Sequence, residues 1–368
     1  MSRYEFSIAS AEDDDALKQR MARDIMPGLI PVSFRRSPDY FAGSALQGKH
    51  TQVIKCTDKS NNAIVGLGTR ATLSTYVNGD KCTTGYLCDL RGDEKARGGT
   101  LLARGYRFLR QLHNQQPLPV YYSMVLDGNE TAISLLTSGR GKLPAYTALG
   151  KFNTPAILLG APRKFTPDTS ITIEKAGQED IATLTTFINN CNRRFQFAPV
   201  IAPGDFTSGR LAGLNIDDIY IAKSGSEVIA TASCWDQQSI RQIHVEQYST
   251  ALRAVRPLYN VLSKFLSFKP LPEPGQSLSC FYLSLVAVRD DDPAVFRQLL
   301  EHIYAERRTG PWQMFLTGFH ERHPFNEVTQ SFRQIAAAGQ LFSVHWPDDT
   351  TTQIIPDDRI PHLEAGAL

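Results

Sequence analysis

An arginine and two glycines stand directly before a helical pattern in the first third of the chain. The segment reads Arg97-Gly98-Gly99-Thr100, and from Leu101 to Leu112 apolar residues recur every three or four positions. The positive end of a helix dipole and its free N–H groups favour an anion, and glycines let the backbone approach it closely. Arg97 adds a fixed charge with several donors. The pattern predicts a phosphate or pyrophosphate site; an ordinary strand–helix loop is the alternative.

The surrounding pattern predicts elements that would position such a site. Residues 4–159 predict the order β-α-α-β-β-β-α-β-α-β-β, in which the strand 83–91 leads into the glycine turn. Residues 160–167 contain two prolines and little apolar pattern, which is typical of a linker. A similar order of elements then begins again at residue 170, so the sequence predicts two copies of one α/β plan. In the second copy we expect a helix over 325–338 and a last strand over 362–368.

The amino-acid composition argues against several classes of function. The 368 residues include 39 basic and 37 acidic side chains, and a formal net charge of +2 argues against nucleic acid as a partner. The six cysteines form no C-x-x-C pair, and residues 1–20 are acidic and unlike a signal peptide, so we expect reduced thiols in a cytoplasmic protein. No apolar run is long enough to span a membrane. His320-Glu321-Arg322-His323 lacks the spacing of the H-E-x-x-H zinc motif, and we expect no metal.

With these elements placed, the first half resembles the GNAT superfamily of acyl-CoA N-acyltransferases. The family signature R/Q-x-x-G-x-G/A follows the fourth strand, where residues 97–102 stand here. A second family pattern, N-x-x-A-x-x-L-Y, matches residues 129–136 except at its last position. Two motifs at the expected separation are more specific than either alone. The resemblance covers residues 4–159 by motif and 170–368 by element order only.

The resemblance implies an α+β fold of two GNAT-like acyl-CoA N-acyltransferase domains. Each is expected to be a mixed, mostly antiparallel twisted sheet flanked by helices. The predicted boundaries are 1–162 for an acyl-CoA-binding domain and 168–368 for a degenerate second domain. We expect a monomer or a homodimer.

The resemblance also implies where acyl-CoA binds. Pantetheine is expected between the splayed fourth and fifth strands, bordered by residues 87–91 and 122–126. The co-substrate is expected to be acetyl-CoA or another acyl-CoA. Its expected contacts are Leu90, Arg91, Arg97, Gly98, Gly99, Thr100, Leu101 and Asn129. Thr100 and Leu102 depart from the small residues of the signature.

Direct attack of an amine on a thioester requires a base for the amine proton and an acid for the leaving thiolate. The resemblance places Asp89 at the strand end suited to a base; a surface or capping carboxylate is the alternative, because aspartate titrates low unless desolvated. The tyrosine that often serves as acid aligns with Leu136. Tyr146 is the nearby candidate for that role, with a half-buried strand tyrosine as the alternative.

Acceptor recognition in such a fold usually falls on the early helices and strand ends. Arginines beside aromatic residues in this region could hold an anionic acceptor; a solvated face with a few buried rings is the alternative. The candidates are Phe34, Arg35, Arg36, Asp39, Tyr40 and Phe41. The acceptor is expected to be a small-molecule or peptide amine.

The second half carries Asp290-Asp291-Asp292-Pro293 where the first has its glycine turn. Carboxylates repel a pyrophosphate, and Asp292-Pro293 is a typical helix start, so we expect no second CoA site. Two functions stay open. One is N-acyl transfer in the first domain, and the other is non-catalytic acyl-CoA binding or interaction on the same fold.

Overall fold

The computed structural model describes residues 2–28, 30–93, 101–140, 143–207, 209–263, 269–349 and 353–368. The first half contains β1 (Tyr4–Ile8), α1 (Asp14–Ala22), β2 (Ile25–Met26), β3 (Val32–Arg36), α2 (Tyr40–Ala45), β4 (His50–Asp58), β5 (Ala63–Val77), β6 (Asp80–Gly92), α3 (Leu101–Gln115), β7 (Tyr121–Leu126), α4 (Glu130–Leu136), β8 (Ala145–Asn153) and β9 (Ala156–Leu158). The second half contains β10 (Ile171–Lys175), α5 (Ile181–Asn192), β11 (Ile219–Ser224), β12 (Glu227–Trp235), β13 (Arg241–Val245), α6 (Thr250–Ser263), β14 (Cys280–Val288), α7 (Pro293–Arg307), β15 (Met314–Leu316), β16 (Phe319–His320), α8 (Phe325–Gln330), β17 (Gln334–Ile335) and β18 (Ala338–His345).

These strands form two large sheets, one mainly from each half. The first has the order β1-β4-β5-β6-β7-β18-β8-β16, and the second has the order β10-β11-β12-β14-β15-β9-β17. Among the described strands, the parallel pairs are β6 with β7 and β14 with β15; the other pairs are antiparallel. The mixed, mostly antiparallel sheets flanked by helices confirm the predicted α+β class.

The two halves exchange strands. β18 from the end of the chain lies between β7 and β8 in the first sheet, and β9 from the first half lies between β15 and β17 in the second. Leu341 and Val344 of β18 are fully buried in the core of the first sheet. Each sheet therefore takes one interior strand from the other half. The domain boundaries at 1–162 and 168–368 stay a prediction.

A third, small sheet joins the halves again. It has the order β13-β3-β2, so a strand of the second half pairs with two of the first. In its register Arg241 is the direct partner of Arg36. Like charges placed directly opposite are destabilising unless a counter-charge lies between them. This sheet therefore requires an acidic group nearby, and the site supplies one.

Two predicted elements differ from the structure. The helix expected over 325–338 ends at Gln330, because a turn leads into β17, which pairs with β9. The last strand expected over 362–368 is absent from that described segment, which instead ends in a short turn of helix at Ala365–Ala367 with all three residues buried. Tertiary pairing and burial, which local pattern does not report, decide both cases. Among the described residues, no helix is long and apolar enough to cross a membrane.

Candidate active site between strands six and seven

The parallel strands β6 and β7 pair over two residues and then separate. Their matched positions are Gly85 with Tyr121 and Tyr86 with Tyr122, although β6 continues to Gly92 and β7 to Leu126. Gly85 is required at the junction, because a Cβ there would lie 2.1 Å from a ring carbon of Tyr121. Beyond this point a slot opens between the strands. Its position corresponds to the slot predicted between residues 87–91 and 122–126.

Backbone groups of β6 face this slot. The carbonyl of Leu87 accepts a hydrogen bond from Ser123 Oγ on β7 at 2.8 Å. In an extended strand the N–H and C=O of one residue point to the same side, so the Leu87 N–H is also directed toward β7. A donor in that place is suited to polarise a carbonyl held in the slot.

A β-bulge follows at Asp89. The pairing of β5 with β6 shifts register between Leu67 and Thr69, and Asp89 has a φ of 56°, in the left-handed region. The second half repeats this device: β12 and β14 shift register at the matching place, and Leu285 has a φ of 51°. Such strained, non-glycine positions occur where the surrounding structure holds them and often mark functional sites.

The Asp89 carboxylate is a buried counter-ion. Its Oδ2 accepts from Arg36 Nη2 at 2.7 Å and from Thr69 Oγ1 at 3.2 Å, and the side chain is 9% exposed. Burial acts to raise the pKa of Asp89, but Arg36, Arg91 and Arg241 together outweigh it and hold the pKa below its usual value. The carboxylate is therefore charged and weakly basic. Its role as the catalytic base stays a prediction.

The arginines around Asp89 are buried or half-buried. Arg36 is 1% exposed, lies over the Tyr40 ring at 4.8 Å, and its Nε and Nη1 atoms have no hydrogen-bond partner. Arg241 Nη1 donates to the carbonyl of Gly366 at 3.0 Å, and its Nη2 donates to the backbone oxygen of Leu368. The guanidinium groups of the buried Arg36 and the half-buried Arg241, set against one carboxylate, leave a local excess of positive charge beside the slot.

The predicted acceptor residues divide between the two faces of β3. Arg35 points away from Asp89 and pairs with Glu246 at 2.9 Å, whereas Arg36 points toward it. Phe34 packs into hydrophobic clusters. Tyr40 is fully buried, and its hydroxyl has no hydrogen-bond partner. The structure thus brings Arg36 and Tyr40 to the bulge and leaves Arg35 outside, so acceptor contacts by Phe34, Arg35 and Tyr40 stay predictions.

Tyr146, the predicted acid, lies on β8 with its hydroxyl 2.5 Å from that of Tyr106 on α3. Burial raises the pKa of Tyr146 to about 12. Leu136, which stands at the position of the family tyrosine, is 3% exposed in the same hydrophobic cluster. Tyr146 thus lies on the side of the first sheet that packs against α3, and its role as an acid stays a prediction.

The predicted CoA contacts are only partly within the described residues. Arg97, Gly98, Gly99 and Thr100 lie outside them, and Leu101 is the first residue of α3. Leu90 is 52% exposed, and Arg91 Nη1 lies 3.2 Å from Asp24 Oδ2. Asn129 caps α4, with its Oδ1 accepting from the N–H of Ala132 at 3.3 Å. Among the described residues, no group of three or more metal-ligand side chains is placed to hold a metal ion.

A cavity between the halves lies on the opposite face of β6 and β7 from α3. Sequence reasoning missed it, because its walls come from segments far apart in the chain. The residues of its wall that carry polar groups are Gln47, Tyr86, Tyr122, Arg210 and Glu364. Tyr86 and Tyr122, whose rings stack at 5.0 Å, are the last paired residues before the slot. The cavity therefore adjoins the point where the slot opens.

At the matching bulge of the second half, the backbone N–H is already occupied. The N–H of Leu285 donates to Glu364 Oε2 at 3.2 Å. The acidic turn behaves as expected for a helix start, because the Asp292 carboxylate accepts from the N–H of Ala294 at 2.7 Å and Pro293 begins α7. Asp291 pairs with Arg194 at 2.9 Å. Carboxylates thus occupy the places where a carbonyl oxygen and a phosphate would bind.

Comparison with solved structures identifies the fold. The chain is similar to Saccharomyces cerevisiae N-myristoyltransferase with bound myristoyl-CoA, with a TM-score of 0.60 and 11% identity over 94% of this chain and 83% of that one. It is also similar to an Enterococcus faecalis protein of unknown function described as a probable N-acyltransferase (TM-score 0.50, 8% identity, 94% and 73% covered). A third similar structure is the GCN5-related glucosamine N-acetyltransferase region of a fungal multi-domain β-N-acetylglucosaminidase (TM-score 0.63, 11% identity, 92% and 38% covered).

No protein-family model and no curated protein matches the sequence. At these identities the structural similarity establishes the fold, which is the GNAT-like fold of acyl-CoA N-acyltransferases, over most of the chain. The fold predicted from the two sequence motifs is confirmed.

Proposed function

We propose that this chain transfers an acyl group from acyl-CoA to an amine by direct attack, with acyl-CoA held in the slot of the first half. The observation that carries the proposal is the separation of β6 and β7 beyond Tyr86 and Tyr122. The slot is bordered on one side by the Leu87 backbone and the bulge at Asp89. A thioester carbonyl placed there would meet a backbone donor and an excess of buried positive charge.

In this mechanism the amine nitrogen attacks the thioester carbonyl carbon, and a tetrahedral intermediate with a negatively charged oxygen forms. The Leu87 N–H, with the positive field of Arg36 and Arg241, stabilises that oxygen as its charge develops. The C–S bond then breaks, and a proton from the nitrogen neutralises the leaving CoA thiolate. Asp89 holds Arg36 in place through their ion pair, in addition to its predicted role as a base.

The pyrophosphate is proposed to bind at the start of α3 through Arg97, Gly98 and Gly99. The proposed donor is acetyl-CoA or another acyl-CoA. In the yeast enzyme the bound donor is myristoyl-CoA. Acetyl-CoA and myristoyl-CoA should therefore be compared as donors in the same assay.

Non-catalytic acyl-CoA binding is the second candidate function. It is favoured by the apolar, buried Leu136 at the position of the family acid, and by the weak acidity of Tyr146. Release of free thiol from acyl-CoA in the presence of an amine panel separates the two functions. Turnover supports the transferase, whereas calorimetric binding without turnover supports the second candidate.

The test of the CoA site is the substitution Arg97→Glu, with Arg107→Glu on the exposed face of α3 as the matched control. Charge reversal at Arg97 should weaken acyl-CoA binding strongly, and reversal at Arg107 should leave it within about twofold. Unchanged affinity in Arg97→Glu would show that the pyrophosphate binds elsewhere.

A further inference from the structure

Polar and charged side chains form part of the wall of the cavity between the halves. Gln47 is 1% exposed, and neither its Nε2 nor its Oε1 has a hydrogen-bond partner. A buried amide without partners costs about 1–3 kcal/mol, which the protein recovers when a ligand supplies the missing bonds. The amide faces the same cavity as Arg210 and Glu364. These features indicate a site for a small polar molecule.

Glu364 supplies a carboxylate to this cavity. One of its oxygens accepts from the Leu285 N–H at 3.2 Å, which fixes the side chain, and the residue is 9% exposed. The charged and titratable groups around it are Arg210 and the hydroxyls of Tyr86 and Tyr122 across the cavity, with His362 earlier on its own segment. Arg241 contacts the same segment at the Gly366 carbonyl.

We propose that Glu364 binds the ammonium group of the acceptor in this cavity and accepts its proton, while Gln47 binds a neighbouring polar group of the acceptor. This inference rests on the proposed acyl transfer and names its amine site. It assigns the base to the second half of the chain and the acyl-CoA to the first. The acceptor class is an amine with a second hydrogen-bonding group close to its nitrogen.

The proposed acyl transfer removes two protons from the acceptor nitrogen. The ammonium gives one proton to the Glu364 carboxylate, and its freed electron pair forms the C–N bond with the thioester carbon. The C–S bond breaks with its electron pair on sulfur, and a second proton from nitrogen neutralises the thiolate. The products are the amide, free CoA and a protonated Glu364, which loses its proton to solvent.

The surroundings of the two buried carboxylates match different roles. Burial raises the pKa of Glu364 despite the opposing effect of Arg210, whereas three arginines hold the pKa of Asp89 low. A carboxylate is a better general base as its pKa approaches the working pH. Asp89 is bound by the guanidinium of Arg36, whereas the Leu285 N–H holds Glu364 at the wall of the cavity.

The test compares two acceptors of similar size in the full-length chain. Ethanolamine is charged at neutral pH and must lose a proton before attack, whereas hydroxylamine is largely uncharged and need not. Glu364→Gln retains an oxygen for the Leu285 N–H. The Glu364→Gln variant should lower kcat/KM for ethanolamine by about 10²- to 10⁴-fold, which is the usual contribution of a general base. The same variant should change kcat/KM for hydroxylamine by less than about threefold.

The pH profile gives a second readout. For the wild type, kcat/KM with ethanolamine should be level from above the pKa of Glu364 up to that of the amine. In Glu364→Gln the reaction must use the free amine, so log kcat/KM should rise with a slope of one across neutral pH. Glu327→Gln, an exposed carboxylate on α8, is the control and should match the wild type. Equal losses with both acceptors, or an unchanged profile, would overturn the assignment.

A binding measurement distinguishes a failure of the proposed amine site from a failure of the proposed acyl transfer. With CoA present, an NMR titration with ethanolamine should show binding by the wild type, at least fivefold weaker binding by Glu364→Gln, and weaker binding by Gln47→Leu. Ethylene glycol, which lacks the ammonium, should bind both Glu364 forms equally. Binding with this dependence but no turnover would refute the acyl transfer alone. Turnover of amines without any Glu364-dependent binding or rate would refute the site alone.

Discussion

Arg36 Nη2 and Asp89 Oδ2 lie 2.7 Å apart, although the two residues are 53 positions apart in the chain. The pair joins β3 to the bulge of β6, and Arg241 of the second half stands directly opposite Arg36. One carboxylate thus neutralises part of a buried positive charge drawn from both halves. The arrangement couples the geometry of the slot to the packing of the halves.

We expect Asp89→Asn to destabilise the protein by about 3–5 kcal/mol, because it leaves the buried Arg36 without its counter-charge. Urea unfolding measures this loss. Adding Arg36→Met should recover part of the stability, since the double variant no longer buries that charge. Asp127→Asn at the exposed pair with Lys151 should cost less than about 1 kcal/mol. A cost for Asp89→Asn equal to that control would contradict a structural role for the ion pair.

A fragment ending at residue 165 should fail to form a cooperative fold. It lacks β18, whose removal would leave β7 and β8 with unpaired edges and open the core around Leu341. The measurement is the thermal unfolding of the fragment followed by circular dichroism. Co-expression of residues 168–368 as a separate chain should restore solubility and co-purify with it. A soluble fragment with a sharp transition would show that the exchanged strand is dispensable.

Stability should fall as the pH is lowered below about 6.5, in part through His323. Burial lowers the pKa of His323 from its usual 6.5 to about 3, so the unfolded chain takes up a proton that the folded chain refuses. The contribution is complete above pH 6.5 and is lost progressively toward pH 3. In His323→Gln the free energy of unfolding should change less between pH 7 and pH 4. His302→Gln, at a half-exposed histidine, should keep the wild-type dependence.

Calorimetry with acetyl-CoA should give one site per chain. The Leu285 N–H at the bulge of the second half already binds Glu364, and the helix start beyond it carries carboxylates at Asp290, Asp291 and Asp292. The Glu364 carboxylate would repel a thioester oxygen, and the three aspartates would repel a pyrophosphate; these are the groups that the first half is proposed to bind. A stoichiometry near two would show that the second half has an acyl-CoA site of its own.

The sequence alone determined most of the local elements and the fold class. The hydrophobic periods located β4 to β7, α3 and α4 within a few residues, because period two and period 3.6 are properties of short segments. The N-cap at Asp292 and the helix start at Pro293 were likewise predictable, since capping depends on neighbouring residues. Two motifs at the right separation sufficed to indicate the GNAT-like fold.

The tertiary structure decided which distant residues meet. Strand pattern does not specify a partner, so neither the exchange of β18 and β9 nor the opposition of Arg36 and Arg241 could be inferred from local sequence. Alternation along β3 puts Arg35 and Arg36 on opposite faces, but only the packed sheet shows that Arg36 is the one at Asp89. Gln47 and Glu364 lie 317 positions apart (364 − 47), and only the closure of the two halves places them in one cavity.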